Sequence, residues 1–101
     1  MRILGVDPGT INLGYAIVEG EEEMHIVDCG VINLQAKIPM EERLRSLYVE
    51  LSQIIAKHKP SEVAIEEPFI GHNIRSAFAI GKAQAIAILA AANQGLPVYY
   101  Y

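Results

Sequence analysis

RILGVDPGTINLGYAIVE, residues 2–19, decides the fold. The apolar run at 2–7 stops on Pro8 and Gly9, the pattern of a buried strand followed by a tight turn. Residues 14–19 form a second predicted strand. Gly20 and the glutamates behind it read as a solvated hairpin connection, and 24–34, with Ile26, Val27, Val31 and Ile32, is a third strand. Strands joined by turns this short imply an antiparallel meander.

Beyond residue 34 the period changes. Pro39 stands near the first turn of a helix, Glu41 and Glu42 suit its N-terminal dipole, and Leu44, Leu47, Tyr48, Leu51, Ile54 and Ile55 recur at helical spacing. Lys57, His58 and Lys59 suit its C-terminus, and Pro60 ends it. EVAIE, residues 62–66, is a fourth strand that closes on acid. A second helix is expected from about Asn73, a good N-cap, to Asn93, with Gly95 as its stop, and 96–101 opens a fifth strand. Ala77, Ala79, Gly81, Ala83, Ala85, Ala87 and Ala90 to Ala92 spread small side chains over every face of that second helix. A helix apolar all round is normally buried, here with one face on the sheet and another free to meet a partner subunit.

The order is three meander strands, helix, strand, helix, strand. Right-handed crossovers should bring the later strands in parallel with the first. That is an α/β arrangement, the mixed sheet of the ribonuclease-H-like superfold, in one small domain covering residues 1–101.

Bulk properties limit the alternatives. Hydrophobic residues are 51% and charged residues 20%, which is a folded composition and not a disordered one. Cys29 is the single cysteine, so no internal disulfide can form; lying in an apolar stretch, it reads as a small buried residue. The opening apolar run is too short for a signal sequence, and the most apolar stretch, 83–92, is about half the length of a membrane span. A soluble, cytoplasmic protein is expected, with no membrane partner. Net charge −4 and a pI near 5.3 do not suit a typical nucleic-acid binder. Glu19, Glu21, Glu22 and Glu23, crowded around one turn, alone equal that net charge, and after position 70 the basic residues are Arg75 and Lys82.

Two acids sit where a catalytic site would need them. Asp7 ends the first strand and Glu66 the fourth. In this superfold those strands are adjacent and parallel, so the two carboxylates converge on one edge, where they repel each other unless a cation lies between them. Mg²⁺ is often held by one or two carboxylates plus water and phosphate, and paired ions roughly 4 Å apart serve in-line phosphodiester displacement. Strand-terminal acids also merely cap turns, and that alternative stands for either acid taken alone.

GVDPGTINLGYAIVE followed by VAIEEPFIGHNIRSAFAIGKAQAIAILAAANQGLPVY closely resembles the RuvC family of Holliday-junction resolvases, over nearly the whole chain and in the same order. D-x-G-T alone is a weak signal, shared with sugar kinases and actin-like ATPases. Its combination with AIEE-x-F and N-x-R-S-A is specific. The resemblance implies a homodimeric, Mg²⁺-dependent crossover junction endodeoxyribonuclease, with Mn²⁺ as an alternative ion. It would nick four-way DNA junctions symmetrically in recombination and repair, alongside a branch-migration motor of the RuvA and RuvB type.

The resemblance also assigns residues. Asp7 and Glu66 match the first two metal-binding, catalytic carboxylates of a site that holds two ions per subunit when complete. Glu67, alternating to the other side of the strand, is a turn acid or a support for the ligands. Phe69 matches an aromatic that stacks near the junction centre, or is a core residue under its loop. Arg75 in a first helical turn opposes the dipole unless a phosphate lies there; Asn73 and Ser76 share that turn and could donate to phosphate or merely cap. Lys82 is a weaker DNA contact, Gln84 replaces a common arginine, and His72 has no partner motif. Family members continue past residue 101, which implies a domain incomplete at its C-terminus, lacking the final helices and the remaining metal ligands. This piece is then expected to bind Mg²⁺ weakly and leave DNA uncut. Two other classes stay open: a non-catalytic DNA-binding or dimerisation module of the same fold, and an actin-like phosphate-binding ATPase fragment.

Overall fold

A computed structural model describes residues 1–67 and 74–101. Its elements, in chain order, are β1 (Arg2–Pro8), β2 (Asn12–Glu19), β3 (His25–Asn33), α1 (Met40–His58), β4 (Glu62–Ile65), α2 (Ile74–Asn93) and β5 (Val98–Tyr100). The sheet order is β3-β2-β1-β4-β5. β1 pairs antiparallel with β2 and β2 with β3, whereas β4 runs parallel to β1 and β5 parallel to β4. This is the mixed ribonuclease-H-like sheet that the element order predicts.

Local chemistry explains the boundaries. In the turn after β1, a side chain at Gly9 would put a Cβ 2.5 Å from the Asn12 carbonyl oxygen, so the turn accepts only glycine there. Pro39 takes the N-cap position of α1 without a side-chain cap, and Glu41 and Glu42 supply its acidic first turn. Lys59 closes that helix in the left-handed conformation, its N–H donating to the Ile55 carbonyl at 2.8 Å, and Pro60 prevents continuation. Gly95, at φ 74°, ends α2. The Asn73 cap expected there, like His72, lies outside the described residues.

Alternation along the strands sorts the sheet into two faces. Leu4, Val6, Leu13, Ile17, Val63 and Ile65 point to one side and join Leu47, Leu51 and Ile55 of α1 and Ala83, Ala87, Ala90 and Ala91 of α2 in a single core. Positions between them point the other way, and none of the described helices covers that face. Ile26, Val31 and Tyr99 are exposed there.

Two expectations need correction. Cys29 is exposed, not buried, because its register partner is Ala16 on the uncovered face. α2 is not buried all round: only its alanine stripe is, while Ile74, Phe78 and Leu89 are exposed. The whole helix, 20 residues long, is also long and apolar enough to span a membrane by length and composition, which the stretch 83–92 alone is not. Its alanine stripe nevertheless packs into the core as an ordinary core helix does.

Candidate metal centre

The register of β1 with β4 builds the site. Gly5 pairs with Ala64 and Val6 with Ile65, and the Glu66 N–H continues the ladder by donating to the Val6 carbonyl at 2.9 Å. One step further along each strand stand Asp7 and Glu66, both exposed. Since Val6 and Ile65 are buried against the helices, alternation puts the two acids on the opposite, uncovered face. Hydrophobic anchoring thus fixes the orientation of both carboxylates. A slip of one residue would drive them into the core.

The two carboxyl groups meet. A side-chain hydrogen bond with Asp7 raises the Glu66 pKa above the ordinary carboxylate range, the negative charge of Asp7 adds to the shift, and slight desolvation adds a little more. Without a cation the repulsion of the pair favours the protonated form of Glu66. A divalent ion satisfies the same need with more charge. Both donors are hard oxygens open to solvent, which fits an ion that keeps several waters.

A groove of about 260 Å³ adjoins the pair, lined by Gly5, Val6, Asp7, Gly14, Tyr15, Ala16 and Tyr101. Gly14 is the register partner of Asp7, so the floor on that side carries no side chain. On the far side, Tyr101 has its phenol pKa raised by partial desolvation first, then by the charges of Glu66 and Asp7. Tyr101 is a neighbour of the pair that the sequence does not single out. No single segment signals it: β4 and β5 run parallel with Ile65 beside Tyr100, and only that register makes Glu66 and Tyr101 the next pair.

The remaining expected residues fall elsewhere. Glu67 is exposed just past β4, and its N–H donates to the Tyr101 carbonyl at 2.8 Å, so its backbone extends the β4–β5 pairing. Arg75 is exposed in the first turn of α2, a turn that contains no acid; Ser76 is half-buried, and Lys82 is exposed on the same helix. These three stand on a helix and not in the row of strand positions that carries Asp7 and Glu66. Phe69 and Asn73 lie outside the described residues. Among the described residues, no third histidine, cysteine or acid gathers with the pair into a metal-binding group.

Known proteins resemble the chain in both sequence and fold. A protein of Dehalococcoides mccartyi described as crossover junction endodeoxyribonuclease RuvC is 49% identical over the whole chain, which spans 61% of that relative's length. The equivalent protein of Pelotomaculum thermopropionicum is 46% identical, with 62% of its length spanned. Among solved structures, Thermus thermophilus RuvC in complex with a Holliday junction substrate superposes with a TM-score of 0.93 at 27% identity, over 100% of this chain and 65% of that one. The sequence model of the family described as "Crossover junction endodeoxyribonuclease RuvC" matches residues 3–101, and the chain therefore belongs to the RuvC family.

Proposed function

We propose that the protein is a Mg²⁺-dependent endonuclease that resolves four-way DNA junctions by paired symmetric nicks in recombination and repair. The observation that carries this reading is the meeting of Asp7 and Glu66 on one exposed level of the sheet, in a chain of a nuclease family. The substrate class follows the Thermus thermophilus relative, which is described as bound to a Holliday junction.

Asp7 and Glu66 would hold Mg²⁺, or Mn²⁺, through one oxygen or more each, two ions per subunit when the ligand set is complete. The bound metal supplies Lewis acidity toward a phosphodiester oxygen and a water acidic enough to attack. The protein's own part is orientation: strand pairing fixes where both carboxylates point before substrate arrives. Arg75, a cation in a first helical turn without acids, suits a phosphate, and Asn73, Ser76 and Lys82 would extend that contact. Phe69 is assigned to stacking on a base at the junction centre. The exposed Ile74, Phe78 and Leu89 on α2 support a homodimer, which would carry the two sites that paired nicks require. A branch-migration motor of the RuvA and RuvB type and a cytoplasmic setting complete the proposal. Because only two carboxylates gather among the described residues, residues 1–101 alone are expected to bind Mg²⁺ weakly and leave DNA intact.

The test is Asp7→Asn in the intact resolvase, assayed on a synthetic four-way junction. Nicking should disappear while junction binding in a gel shift persists. Normal nicking by this variant ends the metal role of Asp7. Binding without nicking by the wild type, in both Mg²⁺ and Mn²⁺, would favour the non-catalytic module. Robust nicking by residues 1–101 alone would show that two acids suffice. An actin-like ATPase reading of the turn at Asp7 loses its support once the chain is placed in the RuvC family.

A further inference from the structure

We propose that Tyr101 is a positioning residue of the metal centre, its phenol hydroxyl donating to Glu66 and holding that carboxylate turned toward the shared cation. The inference rests on the metal-centre reading of Asp7 and Glu66 and extends it to a third side chain.

Backbone pairing clamps Tyr101 on both sides. Its N–H donates to the Ile65 carbonyl at 3.1 Å, and its carbonyl accepts from the Glu67 N–H at 2.8 Å. Those two bonds straddle Glu66, whose own N–H is tied to Val6 on the other flank. Gly14, Asp7, Glu66 and Tyr101 therefore occupy one level across four strands, each about 4.8 Å from the next. Tyr99, in register with Ala64, lies two residues back along the strand, and Tyr100 alternates to the opposite face.

Core packing does not account for the ring. Tyr101 is 67% exposed, yet it lines the same groove as Asp7. The chemistry of the row does account for it. A carboxylate that gives one oxygen to a cation keeps further acceptor sites, and ligand carboxylates are commonly oriented by a donor bound to them. Gly14 offers no side chain and Asp7 is itself an acid, which leaves Tyr101 as the one hydroxyl in the row.

Tb³⁺ serves as the probe, since a tyrosine ring beside the bound ion sensitises its emission and the ion prefers carboxylate oxygens. Calorimetry gives its affinity in parallel, and far-UV circular dichroism confirms folding. Emission excited through tyrosine should fall sharply in Tyr101→Phe and persist in Tyr99→Phe. Affinity should weaken about 10-fold in Tyr101→Phe, the lower end of what losing such a supporting partner does. Unchanged affinity, or emission that survives in Tyr101→Phe, overturns the role of Tyr101. Equal Tb³⁺ binding by wild type and Asp7→Asn overturns the metal centre itself, whatever Tyr101 does.

Discussion

Ile65→Ala and Ile26→Ala apply the same chemical change to the two faces of the sheet. Ile65 is 0% exposed, against the helices and next to Glu66; Ile26 is 63% exposed on the uncovered face, in register with Val18. Truncating a fully buried isoleucine removes its transfer energy and leaves a cavity, together about 2–5 kcal/mol. Ile26 keeps little buried surface, so its loss should be about 1 kcal/mol or less. Lower strand propensity of alanine acts on both and largely cancels in the comparison. A gap of about 2–3 kcal/mol is large beside the roughly 5–15 kcal/mol that holds an ordinary domain together. Urea unfolding followed by far-UV circular dichroism measures it as a drop in midpoint at constant slope. Melting of Ile65→Ala should fall by on the order of 15 °C. Equal losses at the two sites would refute the facing of β4, and with it the reason that Asp7 and Glu66 point to solvent. A larger loss at Ile26 would mean that the open face is buried by self-association, visible as a midpoint that moves with protein concentration.

Other expectations follow from single residues. Glu66 holds its proton to higher pH than a lone glutamate because of its hydrogen bond to Asp7 and the charge of that neighbour, so Mn²⁺ affinity measured by calorimetry should fall as pH drops through that raised value. The same shift means that the folded state binds this proton more tightly than the unfolded chain does; the pair therefore lowers stability above the raised value, and stability recovers as pH falls toward the ordinary glutamate range. Metal-free Asp7→Asn should accordingly unfold at higher urea than wild type at neutral pH; a lower midpoint would contradict the repulsion. Phe78→Asp, at a position 67% exposed on α2, should leave the protein folded and shift its sedimentation from that of the proposed homodimer to that of a monomer; an unchanged sedimentation coefficient removes this face from the proposed interface. Lys59→Gly relieves a left-handed residue at φ 50° and should stabilise by about 0.5–1 kcal/mol in urea.

Most of the fold was legible because period and punctuation agree. The apolar runs ending at Asp7 and at Glu66, the helical spacing from Leu44 to Ile55 and the stops at Pro60 and Gly95 each mark one element. Element ends differ by a residue or two, as where β4 closes at Ile65 and not at Glu66. What composition could not say is which side of a strand meets a helix. Cys29 sits in an apolar stretch and is exposed, because hydrophobic character does not entail burial on a sheet with one open face. The alanines of α2 misled in the same way: small side chains all round permit close approach from any direction, but only the stripe from Ala83 to Ala91 uses it. Asp7 and Glu66 could be paired from sequence because each ends its own strand. Tyr101 could not, since its place beside Glu66 depends on the register of a fifth strand, which is a property of pairing and not of any one segment.

The acidic balance of the chain, which seemed to argue against DNA, loses its force once the acids have places. β1 runs from Arg2, beside Glu19, to Asp7, beside Gly14, so the hairpin glutamates and the metal centre lie at opposite ends of the same strands. Five residues of strand separate those ends by about 17 Å, twice the physiological Debye length of about 8 Å. Two of the hairpin acids are also locally compensated: Glu19 pairs with Arg2 at 3.0 Å and Glu21 with the N-terminal ammonium at 2.7 Å. Exposed pairs of this kind add little stability, but they cancel charge where they stand. A phosphate approaching the centre therefore meets little of the hairpin's field. The negative potential that it does meet comes from Asp7, Glu66 and the neighbouring Glu67, and a divalent cation held by the first two would offset it. Net charge is a poor predictor where acidic residues would hold a metal: such a site is negative without the ion, and a bound cation would supply the charge that attracts a phosphate. The hairpin acids account for the net charge that looks unsuited to DNA, while the pair at the other end of the strands is what would bring DNA to the chain.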